Sequence, residues 1–486
     1  MSKKINGDLA GLDVSSVKAL ALKGGKLLLL RHVLGFSINF SCGIVLARFL
    51  GPEVLGLYFI SYTLLIILRQ FIDFGIGTHL IRLPLSPTPG DFKTAFTVQQ
   101  FLGVVSVIVV IAFVGPFASK WYGHGELFFL TLSAGIGAYF NSWQSIPLSQ
   151  LERKMEYNKV GIIEIVEILA FNLAAVIGAV IGMGIWGLVV GNILRGLIPA
   201  FMAVLLTGLR PTFSRDKKAV SSLAHETLPL VGSNLVLWLI MFAPTILVGT
   251  FAGIKALGIA QLAYSILGST MFIATIFQRV SLTSLAKFQD NMENFNRAVQ
   301  QVLYLLFVIY IPLTMGVASL SPWWVPLIYG AEWAEMDKVI LVAAIPVTAS
   351  ALLLIILSAL LSKGLASIVF RQNITHAVIY WIVMGVTVAA FGALSVPVAH
   401  LAAMSAAYIF IAGYARCCGH IDYKPLFAGF LAGIVTMMLS WFAVKRGNLL
   451  IPFLLWPAFS LLLFVSSASV RQSAAIFFYN VRGDSR

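Results

Sequence analysis

Apolar runs of about 20 residues recur from one end of this chain to the other, and no other feature of the sequence limits its fold so strongly. A helix rising about 1.5 Å per residue needs roughly that length to cross a hydrocarbon layer of about 30 Å. Inside the layer every backbone polar group must be paired within the segment. The chain therefore reads as an all-α polytopic membrane protein of about fourteen transmembrane helices. The expected spans are Leu27–Ala47, Leu57–Gly77, Ala95–Ala118, Leu127–Pro147, Val160–Ile181, Ile185–Leu206, Leu228–Gly249, Leu257–Phe277, Val302–Leu320, Val339–Leu361, Ala377–Ala393, Val396–Tyr414, Pro425–Val444 and Leu449–Ser469. With 59% hydrophobic residues, 11% charged residues and a mean hydropathy of +0.94, a water-soluble core is the wrong expectation. The N-terminal stretch carries Lys3, Lys4, Lys18, Lys23 and Lys26 with no early apolar run and small-residue cleavage site, so a spanning helix rather than a cleaved leader is expected to anchor it.

Basic residues in short loops set the orientation. Twenty-five Lys and Arg fall on the side of the N-terminus, against only Arg48, Lys120, Lys255, Lys338, Lys445 and Arg446 opposite. Both termini are thus expected in the cytoplasm. The net charge of +14 follows from this topology and from attraction to anionic membrane lipids, so nucleic-acid binding need not be invoked. The longest cytoplasmic connections, Thr207–Thr227 and Gln278–Gln301, are too short for catalytic domains. Outside, Ser321–Met336 carries Trp323, Trp324, Tyr329 and Trp333, read as an interfacial belt with a sugar-stacking platform as the alternative. Cys42 within the first helix and the neighbours Cys417 and Cys418 in a basic loop are expected to be reduced thiols.

Sliding the chain against itself by 202 positions superposes Phe49 on Phe251, Gly51 on Gly253, Leu55 on Leu257, Gly56 on Gly258 and Tyr62 on Tyr264. The copies lie six expected helices apart, enter the membrane in the same direction and imply two lobes related by an axis along the membrane normal. The blocks LARFLGPEVLGLY (Leu46–Tyr58), FIDFGIGTHLIR (Phe71–Arg82), IPLSQLERKMEYNKVGIIEIVE (Ile146–Glu167), GIWGLVVGNI (Gly184–Ile193), LPLVGSNL (Leu228–Leu235) and LGIAQLAYSI (Leu257–Ile266) resemble the polysaccharide (Wzx-type) flippases of the multidrug/oligosaccharidyl-lipid/polysaccharide exporter superfamily. The likeness covers the first nine expected helices well and the remainder by helix count alone.

That resemblance implies two six-helix bundles with a helix pair added at the C-terminus. The organisation is then a cytoplasmic segment 1–26, an N-lobe 27–206, a cytoplasmic linker 207–227, a C-lobe 228–414, the extra pair 425–469 and a cytoplasmic tail 470–486. It also implies a bacterial inner membrane location and a substrate made of a short oligosaccharide on a polyprenyl diphosphate, moved to the periplasmic leaflet by alternating access. Other polysaccharide assembly proteins are candidate partners, and no cofactor, metal or covalent catalysis is expected.

Charges inside spans are costly, about 2.5–3.5 kcal/mol for an Arg at mid-bilayer, and mark candidate sites. Arg69 and Asp73 lie four apart on one face of the second expected helix, Arg195 sits within the sixth near Asn192, and Glu164 and Glu167 lie three apart on the fifth. Arg31 and Arg279 stand at the cytoplasmic ends of the first and eighth. Arg binds phosphate oxygens bidentately, so Arg69, Arg195, Arg31 and Arg279 suit a diphosphate in a cationic cleft. The plainer alternatives are an Arg69–Asp73 pair and snorkelling of Arg31 and Arg279 to headgroups. Asp73, Glu164 and Glu167 are candidates for ion coupling or charge pairing.

Gly178, Gly182, Gly187 and Gly191 suggest close helix packing, and the GxGxxG at Gly182–Gly187 lacks the strand–turn–helix setting of a dinucleotide site. His400 reads as a residue hydrogen-bonding between helices. Two rival functions remain: a cation-coupled small-molecule exporter of the same superfamily, disfavoured by the arginines, and a membrane-embedded glycan polymerase, ligase or acyltransferase, disfavoured by sparse outer loops.

Overall fold

A computed structural model describes residues 14–82, 87–208, 212–214, 223, 236, 238–285, 291–414 and 424–466. Of the expected segments, 470–486 lies wholly and 207–227 largely outside these, and 1–26 does so up to residue 13; Cys417 and Cys418 also lie outside, whereas Cys42 is a free thiol. Every element described is helical: α1 Val14–Asp73, α2 Ile76–Arg82, α3 Pro89–Val109, α4 Gly115–Tyr122, α5 Glu126–Arg153, α6 Tyr157–Val180, α7 Ile185–Thr207 and α8 Trp238–Phe251. They continue with α9 Ile254–Leu285, α10 Met292–Ser319, α11 Ser321–Tyr329, α12 Met336–Ser362, α13 Ala366–Phe391, α14 Ser395–Ala412, α15 Lys424–Lys445 and α16 Leu450–Ser466. Among the described residues nine helical stretches are long and apolar enough to cross a membrane, so the chain is an all-α, multi-pass membrane protein. Two compact units divide it, Met1–Thr245 and Ile246–Arg486.

In the N-terminal unit, α1 runs through the first two expected spans with one break, at Gly51 (φ 70), where Pro52 follows. Removing the Cβ makes that left-handed backbone available without strain, and the chain can turn between two helical segments. The second break follows Asp73, at Phe74 (φ 50) and Gly75 (φ 73). Thr88 caps α3: its hydroxyl accepts from the Asp91 N–H while the Asp91 carboxylate accepts from the Thr88 N–H, and Pro89 opens the helix.

Helices α5, α6 and α7 pack backbone on backbone. A Cβ at Gly178 meets the Gly187 backbone, a Cβ at Gly196 meets the Gly137 carbonyl, and a Cβ at Gly137 meets the Asn192 carbonyl. The close-packing expectation therefore holds for Gly178, Gly187 and Gly191. Gly182 differs: with φ 80 and open space around it, it turns the chain between α6 and α7. At the crossing, fully buried Asn192 donates to Ser61 (3.4 Å) and Ser133 (3.2 Å), polar contacts that a span without water must satisfy internally.

The C-terminal unit packs α9 and α10 around α12, with α15 and α16 against α10. Three of its glycines meet side chains instead: Gly429 faces Phe307, Gly433 faces Ile311 and Met315, and Gly316 faces Trp456. The aromatic segment Ser321–Met336 corrects the belt and platform readings for two of its residues. Trp333 is 0% and Tyr329 2% exposed, and the Trp324 indole donates to the Val317 carbonyl at 3.0 Å. The segment folds as α11 and a following turn whose rings fill the unit's interior; only Trp323, at 45%, stays well exposed. Lys445 closes this end with an ion pair to buried Asp337 at 2.8 Å, joining α15 to α12.

Candidate functional site

Close approach of α6 and α7 brings charges on three helices of the N-terminal unit together. Glu167, 8% exposed on α6, accepts from Arg69 of α1 through Nη1–Oε1 (2.6 Å) and Nη2–Oε2 (3.4 Å), and from Arg195 of α7 through Nε–Oε1 (3.3 Å). Gln144 of α5 donates to Oε2 at 3.0 Å. One carboxylate is thereby shared by two guanidiniums. The Arg195 guanidinium lies over the rings of Tyr62 and Phe171, its carbon 5.4 and 5.3 Å from their centroids. Tyr58 stacks on Phe171 and on Tyr62, so the ring cluster holds the guanidinium plane from two sides.

The local sequence explains the convergence. Tyr58, Tyr62, Arg69 and Asp73 recur at helical spacing along α1, and Glu164, Glu167 and Phe171 do so along α6. One turn before Glu167, Glu164 forms an ion pair with Arg31. Three arginines thus face two glutamates, all five side chains about a third exposed or less. Arg31 also feels the Glu152 carboxylate and Asp73 stands one turn beyond Arg69, so the excess is local to the two guanidiniums on the single Glu167 carboxylate, where the surroundings screen charge weakly.

Spacing along α1 offered Asp73 as the plainer partner of Arg69. The structure corrects this: Arg69 spans to Glu167, and the Asp73 carboxylate accepts instead from the Ser145 hydroxyl (2.6 Å) and the Gln99 amide (3.2 Å). A side chain near a helix end has several partners in reach, and the bidentate tertiary geometry outweighs the i,i+4 neighbour. Arg279 lies exposed near the end of α9, in the other unit. The residues that sequence reasoning passed over are Gln144, Tyr58, Phe171, Gln99 and Ser145. Among these, Gln99-Gln100 within an apolar run was the legible sign.

In the C-terminal unit His400 takes a hydrogen bond at each ring nitrogen, Nδ1 with the Tyr264 hydroxyl and Nε2 with the Ser350 hydroxyl, both at 3.1 Å. It links α14 to α9 and α12, as its lone position in an apolar helix suggests. Among the described residues no cluster of metal-ligating side chains is found.

The fold defines a class. Over 95% of this chain and 99% of the other, the structure superposes on a lipid II flippase, MurJ, in an inward closed conformation, with a TM-score of 0.71 at 14% identity. A multidrug resistance MATE family transporter of the MOP superfamily, inward-facing, matches 78% of the chain and 94% of its own with a TM-score of 0.56 at 16% identity. Within that class, residues 45–338 match the family described as polysaccharide biosynthesis protein, and the chain belongs to it. The lipopolysaccharide biosynthesis protein WzxC of Escherichia coli (strain K12) is 25% identical over 67% of this chain and 66% of its own length. The teichuronic acid biosynthesis protein TuaB of Bacillus subtilis (strain 168) is 26% identical over 62% of each. The aligned part is thus less than two thirds of either relative, and the resemblance to Wzx-type proteins read from the sequence blocks is borne out.

Proposed function

We propose that the chain is a flippase that carries polyprenyl-diphosphate-linked oligosaccharide units from the cytoplasmic to the periplasmic leaflet of a bacterial inner membrane, for surface or exopolysaccharide assembly. The observation that carries this reading is the sharing of Glu167 between Arg69 and Arg195 in the interior of spanning helices. A diphosphate supplies the negative charge that this arrangement lacks, and guanidinium forks bind its oxygens through charge-assisted hydrogen bonds. Arg31, Arg69 and Arg195 hold the diphosphate while sugars cross a polar cleft and the lipid tail stays in hydrocarbon.

The accompanying topology has fourteen spans, counting the two segments of α1 and the helices on either side of Gly392 separately. Two lobes of six are followed by α15 and α16, with both termini in the cytoplasm and lobe limits near 27–206 and 228–414. The cycle is alternating access without covalent chemistry, and anionic lipids and other polysaccharide assembly proteins are its partners. A cation-coupled exporter of small cations fits the site less well, because the surplus guanidinium repels such a substrate.

The test is movement of a labelled polyprenyl-diphosphate oligosaccharide across proteoliposomes. Because Glu167 has two cationic partners, Arg195→Ala and Arg69→Ala each leave it paired and the fold intact. We expect wild type to translocate and each variant to lose most of that activity at matched protein levels. Undiminished transport by both variants removes the site assignment; wild type that moves no such lipid under any ion gradient removes the function.

A further inference from the structure

One pocket of the C-terminal unit gathers charges that the arginine–glutamate site does not use. A cavity of about 350 Å³ opens at the end of the unit where α9, α12 and α14 begin. Its walls are Ala252 and Lys255, Glu335 and Lys338, and Phe391 with the turn Gly392–Leu394. Gly392 (φ 53) turns the chain from α13 into α14 there, and with Ala252 nearby it leaves the space unfilled. Among the described residues neither lysine makes an ion pair or a hydrogen bond, although Glu335 stands one turn before Lys338. Both are exposed, and both belong to the side of the chain that carries only six basic residues in the expected topology. Selection for orientation keeps Lys and Arg off that side, so two of the six lining one pocket call for a reason. The N-termini of α12 and α14 have no side-chain caps, and the positive ends of their dipoles add to the two ammonium groups. Against them stands one carboxylate, and the pocket is net positive.

Phe391 supplies a second chemistry. Its ring is 53% exposed at the pocket wall, an apolar face beside fixed polar groups. Such a face packs against the C–H side of a sugar ring while the hydroxyls and any charge are bonded at the edge. A bare inorganic anion has no use for the ring, and a neutral sugar has no use for two lysines. We propose that this pocket binds one acidic sugar residue of the uronic acid type. Lys255 and Lys338 take its carboxylate, the Glu335 carboxylate accepts from ring hydroxyls, and Phe391 lies along the ring. That the sugar belongs to the transported glycan rests on the flippase reading; that the pocket takes one does not.

Protection of the two lysines from acylation by a soluble amine-reactive ester, read residue by residue by mass spectrometry, tests this on the purified full-length protein in neutral detergent. Glucuronate is the probe, with sodium chloride holding ionic strength constant. In wild type Lys255 and Lys338 are expected to be protected together at one saturable midpoint. Lys120, an exposed lysine of the other unit, stays unchanged, and glucose protects nothing. Lys338→Gln raises the midpoint for protection of Lys255 by about tenfold or more, since a charge-assisted bond is lost, whereas Lys338→Arg retains protection. Phe391→Ala raises the glucuronate midpoint and leaves protection by inorganic phosphate unchanged. All the substituted side chains are exposed, and unfolding temperatures equal to wild type establish that the variants are folded. No saturable protection, equal protection of Lys120, protection by glucose as strong as by glucuronate, or a midpoint unmoved by Lys338→Gln overturns the proposal. Stronger protection by dihexanoyl-phosphatidylglycerol than by glucuronate, with Phe391→Ala indifferent, gives the pocket to a lipid headgroup and overturns it as well. The assay contains no glycolipid, so its failure leaves the flippase reading standing, and failed lipid transport leaves the sugar pocket standing.

Discussion

Tyr62 and Tyr264 occupy the same position of the internal repeat, one in each unit, and they meet different chemistry. Tyr62 lies beneath the Arg195 guanidinium, beside a carboxylate shared by two arginines. Tyr264 hydrogen-bonds His400, which bonds Ser350 in turn, a chain of imidazole, phenol and hydroxyl groups. Permanent charges in a spanning segment are expensive and are held for a purpose, whereas a closed set of such hydrogen bonds fastens helices at little cost. The repeat thus supplies one scaffold twice, and among the described residues it is the N-terminal copy that sets a guanidinium and a carboxylate beside this tyrosine.

The largest way to test that contrast is to remove the shared carboxylate. Glu167→Gln leaves two guanidiniums facing each other with no counter-charge, and we expect a loss of about 3 kcal/mol in stability, read from denaturant or thermal unfolding in detergent. His400→Leu in the other unit leaves only hydroxyl groups unpaired. A loss equal to that of Glu167→Gln makes the C-terminal cluster as consequential as the charged one and breaks the contrast.

Packing supplies the next effect. Gly196→Ala drives a methyl group into the Gly137 carbonyl, an overpacking of backbone that costs about 1–3 kcal/mol. Gly268→Ala and Gly385→Ala, in the C-terminal unit, meet open space, and we expect unfolding temperatures at or above wild type. Should Gly196→Ala unfold like wild type, the backbone-on-backbone packing of α5 and α7 is not what holds Arg195 in place.

These features differ in how far the sequence disclosed them. The helices were legible because about 20 apolar residues are required to cross hydrocarbon, whatever the tertiary context. Gly178 and Gly187 were legible because small residues at helical spacing have few other uses in a span. Arg69, Arg195 and Glu167 stood out singly, and neutralisation of Arg195 by Glu164 and Glu167 across the bundle was one reading of them; that Arg69 joins Arg195 on Glu167 depends on how closely the helices approach, which no spacing within one helix reports. The i,i+4 rule pointed Arg69 at Asp73 and missed Glu167, 98 positions away. Gln99 and Ser145 were passed over because Ser and Gln in spans commonly bond their own backbone or a neighbouring helix. Trp333 and Tyr329 misled because aromatic residues at a membrane edge and aromatic residues plugging a core look alike in sequence.

His400→Leu carries the third expectation on its own. Tyr264 and Ser350 lose one partner each, for a cost of about 1 kcal/mol, below that of Glu167→Gln, while transport of the lipid-linked glycan continues at matched protein levels. Transport lost by a folded His400→Leu means that the C-terminal cluster acts in the cycle, and that the division of labour between the units is drawn in the wrong place.

The smallest effect bears on the repeat itself. Gly51 (φ 70) and Gly253 (φ 91), superposed by the 202-residue shift, both hold left-handed backbone where one helical segment gives way to the next. The flanking residues agree: Phe49 and Phe251 are 57% and 64% exposed, and Leu55 and Leu257 are 4% and 0%. A Cβ at Gly253 meets open space, so alanine there isolates the backbone term, about 1 kcal/mol for an L-residue forced into that region. Gly51→Ala and Gly253→Ala are therefore expected to lower stability by similar amounts in urea unfolding, since equivalent turns carry equivalent strain. A clear inequality, with one variant near wild type, means that the turn on that side relaxes to a right-handed conformation; the two copies then share a sequence pattern but no longer a structural constraint.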